Sequence, residues 1–452
     1  MSKVKLICAD VLEGLAGLPD DHFSSCVTDP PYELGFMGKK WDSSGISYSV
    51  EMWKEVYRVL KPGAHLLAFG GSRTYHRLAC AIEDAGFIIR DQIMWLYGSG
   101  FPKSLDVSKG IDKVAGVKRE VMGRRTDGRY AYGFSDEAKK ACGVENPQQG
   151  FVGEMGIITA PATPLARQWD GWGTALKPAH EPIVVARKPL EGTVVANVLK
   201  WGCGAINVAG CRIEVDPEVD DPRLGGKGTW SSEKMAKNVY EGGYVGERVG
   251  SDPAGRWPAN VIHDGSDEVV ACFPDSKGQQ GDVRGTEQSH TGGEGTVCYG
   301  EYGRVPAGKR GDNGSAARFF YCAKASQEER NRGCEGIQKK PVPYSEYRPN
   351  VETTKSYVSE YPDGSPRPMN KQKNNHPTVK PLALMAYLVR LVTPPGGLVL
   401  DPFMGSGSTL IAAAKEGFDG VGIDKEAAYV EMSRKRIAGE LGMLVEIETE
   451  AP

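Results

Sequence analysis

An α/β protein built on a parallel sheet, divided by a long loop-rich zone, is the architecture to which this 452-residue sequence points. Three observations carry it. Short apolar runs alternate with helical patterns over roughly residues 1–100 and again over about 374–445. Short turns join each run to the next, as consecutive strands and helices of a parallel sheet require. Glycine makes up 58 of 452 residues, about 13% against a usual ~7%, and it gathers between the two zones without a triplet period.

In the first zone Val4–Ala9 is an apolar run ending at Asp10, and Ser24–Thr28 is another ending at Asp29. Met52, Val56, Val59 and Leu60 recur at helical spacing, and Lys61-Pro62-Gly63 closes that helix. Ala64–Phe69 reads as a buried strand, and Leu78–Ala85 as a helix stopped by Gly86. The last zone repeats the pattern: a helix over Leu382–Leu391, a strand at Leu398–Leu400, a helix over Thr409–Glu416, a strand at Val421–Ile423 and an amphipathic helix over Ala427–Glu440. Between them lie some 270 residues of different character. Gly202 to Gly314 is dense in Gly, Asp, Ser and Pro, and it reads as a loop-rich region with short strands inserted into or appended to the α/β body.

Charge and cysteine content exclude several classes. Lys+Arg number 55 and Asp+Glu 58, a net charge of -3, so the balance points to no partner and only its distribution is informative. No apolar run approaches the ~20 residues that span a bilayer, and the first residues carry acid too early for a signal peptide. The ten cysteines include no Cys-x-x-Cys pair, which argues against a structural zinc site or a disulfide framework and for reduced thiols in a cytoplasmic protein. No bound metal is expected.

Two motifs carry chemistry. Asp401-Pro402-Phe403-Met404-Gly405-Ser406-Gly407-Ser408-Thr409 follows a strand and opens a helix, so its glycines let backbone pass close to a ligand at a helix N-terminus. Seventeen residues past Gly407 the next strand ends in Asp424, placed to accept from ribose hydroxyls. The turn lacks the third glycine of a dinucleotide fingerprint and the Gly-Lys-Ser/Thr of a P-loop, so the ligand should be a nucleoside with little or no phosphate. The second motif is Asp29-Pro30-Pro31-Tyr32. Two prolines fix φ and remove two N–H donors, presenting carbonyls and the Asp29 carboxylate beside an aromatic face. That set suits an exocyclic amino group on a planar base. The plain alternatives are a capped strand-to-helix turn and a surface tyrosine.

Together the two motifs resemble the amino-group DNA methyltransferases that use S-adenosyl-L-methionine. The base-holding loop comes first and the cofactor turn nearly 375 residues later, which resembles the β-class, with its circularly permuted Rossmann-like sheet. The resemblance implies that Asp29, Pro30, Pro31 and Tyr32 hold a flipped base. It assigns the cofactor to Asp401, Phe403, Gly405, Ser406, Gly407, Ser408, Thr409 and Asp424, and its adenine ring to Asp10. Asn374–Pro381 is similar to the family's cofactor-tail motif, which adds His376, Thr378 and Lys380, the last pairing with the methionine carboxylate. Gly35–Asp42, Lys177–Pro182 and Arg318–Lys324 resemble a prophage-type branch. The domains expected are 1–190 as the catalytic half, with an insertion at about 101–170, then 191–345 as a target-recognition region and 346–452 as the cofactor half.

The resemblance also implies a partner in double-stranded DNA and a homodimer, in a bacterial cytoplasmic protein acting at the nucleoid and encoded by host or phage. Charge distribution agrees: residues 303–350 hold ten Lys/Arg against five Asp/Glu, and Lys103 to Arg129 form another basic run. Asp at the head of the loop favours N6 of adenine within the family. N4 of cytosine, an RNA or small-amine substrate, and a silent DNA-binding relative stay open. The recognition sequence is not legible, since it depends on side chains that enter the grooves.

Overall fold

The computed structural model describes residues 1–34, 43–100, 104–124, 157–214, 255–275, 314–323, 340–341, 371–372 and 379–450. Contacts divide the chain into two compact units, one of 1–98 with 180–452 and one of 99–179.

The larger unit is built on a ten-stranded sheet. Its strands are β1 (Ser2–Cys8), β2 (Phe23–Thr28), β3 (Leu60–Phe69), β4 (Ile88–Leu96), β7 (His180–Arg187), β8 (Val261–His263), β9 (Tyr321–Cys322), β12 (Leu398–Asp401), β13 (Asp419–Asp424) and β14 (Val445–Glu450). The smaller unit supplies β5 (Val121–Arg124) and β6 (Ile157–Thr159), an antiparallel pair, and β10 (Lys340–Pro341) with β11 (Lys371–Gln372) forms another. The large sheet runs β14-β1-β13-β12-β2-β3-β7-β4-β8-β9, and β7 alone is antiparallel to its neighbours.

Both faces of the central strands are covered, which explains their continuous apolar runs. Phe23 and Cys26 of β2 and Leu66 and Ala68 of β3 join one core cluster with Met52, Trp53, Val56 and Val59. Val27, Leu67 and Phe69 face the other way, against Leu384, Met385 and Leu388. Helix Val50–Val59 begins where the Ser49 side chain accepts from Met52 N, an N-cap that satisfies one orphan donor. Helix Ser408–Lys415 lies close on β13 because Gly422 has no Cβ, which would stand 2.6 Å from a Leu410 methyl.

Several elements differ from the sequence reading. The expected turn at Lys61-Pro62-Gly63 is the start of β3, whose Gly63 N–H donates to Lys188 O. Strands β4, β7 and β14 and helix Val11–Ala16 were not foreseen. The Gly202–Gly314 stretch, read as loop-rich with short strands, sends β8 into the main sheet, and β7 and β9 join it from either side of that stretch in the chain. Among the described residues no helix is long and apolar enough to cross a membrane.

Candidate active site

The chain leaves β12 towards β13 on one side and leaves β2 towards β3 on the other, although β12 and β2 are paired neighbours. A parallel sheet opens a crevice at the carboxyl ends of strands where the winding reverses in this way. Both sequence motifs stand at that point.

Asp401, ending β12, ties the two together. Its Oδ1 accepts from Thr28 Oγ1 at 2.7 Å, the residue just before Asp29, and from Phe403 N at 3.1 Å. Burial pushes the Asp401 carboxyl up to about 6, against hydrogen bonds from Thr409, Thr28 and Phe403. The turn then passes through Gly405 (φ +49°) and Gly407 (φ +77°), both in the left-handed region that favours glycine. Gly405 N donates to Asp424 Oδ2 at 3.1 Å, and Glu426 N donates to Asp424 Oδ1 at 2.8 Å. Burial also raises Asp424 to about 6.

The turn is braced from behind by helix Ala427–Leu441. Ser433 Oγ donates to Gly405 O at 2.8 Å, and a Cβ on Gly407 would meet that serine at 3.0 Å. The buried Arg436 guanidinium donates to Ser406 O, to Ser406 Oγ at 2.9 Å and to Ser408 Oγ at 3.3 Å. Ser406, Ser408 and Thr409 are buried, and their hydroxyls brace the turn from inside, the serines through Arg436 and the threonine through Asp401. Asp10 is exposed at the end of β1, where it caps helix Val11–Ala16 through Leu12 N. Ala9 N donates to Asp424 O, which sets Asp10 beside Asp424 at the same strand edge.

The loop after β2 is held at Asp29, Pro31, Tyr32 and Glu33. Pro31 O accepts from Ser47 Oγ at 2.5 Å, and Tyr32 O accepts from Thr74 Oγ1 at 2.8 Å. Glu33, with φ +55°, accepts from Gly45 N at 2.8 Å. Tyr32 OH donates to Glu181 Oε2 at 2.8 Å. Lys380 was expected at the cofactor's carboxylate, but its ammonium lies 2.7 Å from Asp29 Oδ2 and 3.1 Å from Tyr32 OH. The reason is packing: helix Leu382–Val392 shares a core with Val27 and Phe69, so the residue before Pro381 lands over the Phe69 ring at 4.9 Å.

Burial raises Asp29, with Lys380 opposing and Glu181 adding to the rise. Burial works against the Lys380 charge, but Asp29 and Glu181 outweigh it and hold the ammonium protonated. Burial, then the two carboxylates, pushes the Tyr32 phenol well above its usual range. Tyr97, just past β4, rises to about 12 through burial and then Glu181.

Glu181 is the residue that sequence reasoning missed. It lay inside the noted Lys177–Pro182 stretch, and an acid entering an apolar strand was the available signal. His376, Thr378 and Gly35–Asp42 lie outside the described residues.

A family model described as DNA methylase, N6/N4 type, matches residues 23–435. The chain belongs to the N6/N4 DNA methylase family. That membership makes S-adenosyl-L-methionine the cofactor, and the site fits it. The donor set is right for a nucleoside: a glycine turn at a helix start, a carboxylate ending the next strand, and exposed Asp10 beside it.

Two type II methyltransferases are similar to this N6/N4 methylase over shorter stretches. M.BglI of Bacillus subtilis is 40% identical over 70 residues, 16% of this chain and 20% of that protein. M2.DpnII of Streptococcus pneumoniae is 39% identical over 72 residues, 16% of this chain and 27% of that protein. The matched stretches thus span only about a fifth to a quarter of those relatives. Among solved structures, the M1.HpyAVI–SAM complex is 14% identical, covering 96% of this chain and 99% of that one at TM-score 0.33. The cytosine-N4-specific PvuII DNA methyltransferase is 12% identical, covering 96% and 86% at TM-score 0.37.

Proposed function

We propose that this chain is a site-specific DNA methyltransferase that moves the methyl group of S-adenosyl-L-methionine to the N6 amino group of an adenine turned out of duplex DNA. One observation carries the reading. Asp29 has one carboxylate oxygen held by Lys380, while the other, Oδ1, is buried without a hydrogen-bond partner among the described residues. A buried acceptor without a donor is costly, and an exocyclic amino group supplies the donor.

When bound, the cofactor supplies an electrophilic methyl whose S–C electron pair leaves with sulfur. The residues do the rest. An exocyclic amine is a poor nucleophile because its lone pair is delocalised into the ring. Asp29 Oδ1 and the Pro30 carbonyl accept its two hydrogens, draw nitrogen towards tetrahedral geometry and localise the pair. They act most strongly as the N–C bond forms and positive charge grows on nitrogen. The N–H electrons then return to nitrogen, and Asp29 takes the proton and passes it to water. Burial and the neighbouring Glu181 charge, which raise Asp29, favour that brief stay. Tyr32 replaces the stacking that the base loses on leaving the duplex. Binding both partners in one crevice supplies the proximity term.

Adenine is favoured over cytosine by the Asp that opens the loop. Residues 191–345 are the proposed target-recognition region, supported by the excess of Lys and Arg interleaved with Tyr and Phe from 303 to 350. The homodimer implied by the resemblance is tested by sedimentation of the chain.

The deciding experiment is incubation with methyl-labelled S-adenosyl-L-methionine and unmethylated duplex DNA, followed by nucleoside mass spectrometry. N6-methyladenine is expected. N4-methylcytosine overturns the choice of base, and no transfer overturns the activity.

A further inference from the structure

The mechanism above uses Asp29, Pro30 and Tyr32, gives Glu181 only the effect of its charge on Asp29, and leaves Lys380 away from its expected partner. Four groups from three distant parts of the chain meet here. Lys380 Nζ is 2.7 Å from Asp29 Oδ2, 3.1 Å from Tyr32 OH and 3.2 Å from Glu181 Oε2. Their side chains are nearly closed to water: Lys380 is 6% exposed, Asp29 15% and Glu181 19%.

An ammonium has three N–H donors, and here three acceptors stand within reach of them. No donor is left over for a cofactor carboxylate. Glu181 is equally committed, since Oε2 also accepts from Tyr32 OH at 2.8 Å. A buried ionic cluster is seldom a net gain in stability over apolar side chains of the same size, so folding alone gives little reason for an acid at 181. Its contacts run instead to Tyr32, which would meet the base, and to Lys380, which holds Asp29.

We propose that Glu181 and Lys380 are a positioning pair for the target base. Lys380 fixes Asp29 through Oδ2 so that Oδ1 stays open to the amino group, and Glu181 fixes Tyr32 through its hydroxyl while sharing Lys380; neither residue binds the cofactor. This rests on the methyltransferase reading above. The groups that face Asp29 are Lys380, Glu181, Tyr32 and, from the β12 end, Asp401, with Tyr97 facing Glu181 and Lys380. Two carboxylates therefore share one ammonium, and each member sets the acidity of the others.

The test uses the full chain and two variants, Glu181→Gln and Lys380→Met, with Glu181→Asp as a conservative control. S-adenosyl-L-methionine binding is followed by calorimetry and methyl transfer on unmethylated duplex DNA across pH. Both main variants are expected to bind the cofactor within about twofold of the unmodified chain and to lose roughly ten- to a hundredfold in kcat, the scale of a misplaced reacting group. Glu181→Asp should recover part of that loss. The pH profile separates positioning from a loss of structure. Asp29 must be ionised to accept, so removing the Glu181 charge should move the acid limb to lower pH, and removing the Lys380 charge should move it to higher pH. Cofactor binding weakened tenfold or more in Lys380→Met would return that residue to the methionine carboxylate and overturn the proposal. So would acid limbs that do not move in opposite directions. An unmodified chain that binds the cofactor but methylates nothing fails the methyltransferase reading itself, and the pair then has no base to position.

Discussion

The glycine turn after β12 and the Asp-Pro-Pro-Tyr loop after β2 stand at neighbouring strand ends, yet they are made in different ways. The turn owes its shape to its own residues: Gly405 and Gly407 take left-handed φ, and the brace behind it comes from one nearby helix through Ser433 and Arg436. The loop has a rigid backbone of its own, but its charge state is assembled from afar. Tyr32 and Glu181 are 149 residues apart, and Asp29 and Lys380 are 351 apart. One region is a shape and the other is an electrostatic arrangement, so changes in them should damage different quantities.

The largest effect should come from the loop. Asp29→Asn keeps the size of the side chain but replaces a carboxylate acceptor with an amide, whose NH2 would face either Lys380 or the incoming amino group. Loss of charge stabilisation at a reacting nitrogen is worth roughly a hundred- to a thousandfold in kcat. Cofactor affinity should stay within about twofold, since Asp29 belongs to the base side. Loss of both together in calorimetry and steady-state kinetics would erase the distinction between the two regions.

The turn should fail in the opposite sense. Gly407→Val puts a β-branched residue at φ +77° with its Cβ against Ser433. Cofactor binding should weaken by tenfold or more while the chain keeps its fold, read by calorimetry beside circular dichroism. Tight cofactor binding in that variant would mean that the turn does not shape the cofactor site.

A smaller effect follows from Asp424. Its carboxyl is pushed up to about 6 by burial, and only the ionised form is the full acceptor that ribose hydroxyls need. Protons therefore compete with the cofactor. Affinity should be level above about pH 7 and fall below 6, approaching tenfold per pH unit at the steepest. Asp424→Asn should bind weakly at every pH, with the fall removed. A fall that persists in the variant would assign the titration to another group, and Asp401, also near 6, is the first to test.

The same contrast decides what was legible in the amino-acid sequence. Strand, glycine turn, helix and the acid at Asp424 are local patterns, and the structure holds them within a few residues of where the apolar runs place them. Tyr32 and Asp29 were readable as a loop because the prolines between them dictate backbone. Lys380 was assigned by its motif, and its contacts were set by something no motif contains: helix Leu382–Val392 packing on the face that carries Phe69. Glu181 carried a weaker signal still. A single acid entering Ile183-Val184-Val185 is ambiguous until β7 is seen beside β3. Strand β14, Val-Glu-Ile-Glu-Thr-Glu, alternates clearly, but an edge strand gains its reason only from its pairing with β1.

The smallest predicted effect lies on a bond that joins the two regions. Thr28 Oγ1 donates to Asp401 Oδ1 at 2.7 Å, and both residues are buried. Thr28→Val is close to isosteric and removes only that donor. Asp401 keeps Phe403 N and Thr409, so its carboxylate is left with fewer donors but not orphaned. A hydrogen bond to a charged group contributes about 1.5–3 kcal/mol, and the added burial of a methyl offsets part of the loss, so about 1 kcal/mol of stability should go. The functional outcome separates two pictures of the crevice. If the bond only stabilises the strand ends, the melting temperature falls while kcat and cofactor affinity stay level. If it also registers the base-holding loop against the cofactor turn, kcat falls several-fold with cofactor affinity unchanged. The second outcome is expected, because Thr28 immediately precedes Asp29 and a small displacement there moves Oδ1 away from the amino group it must orient.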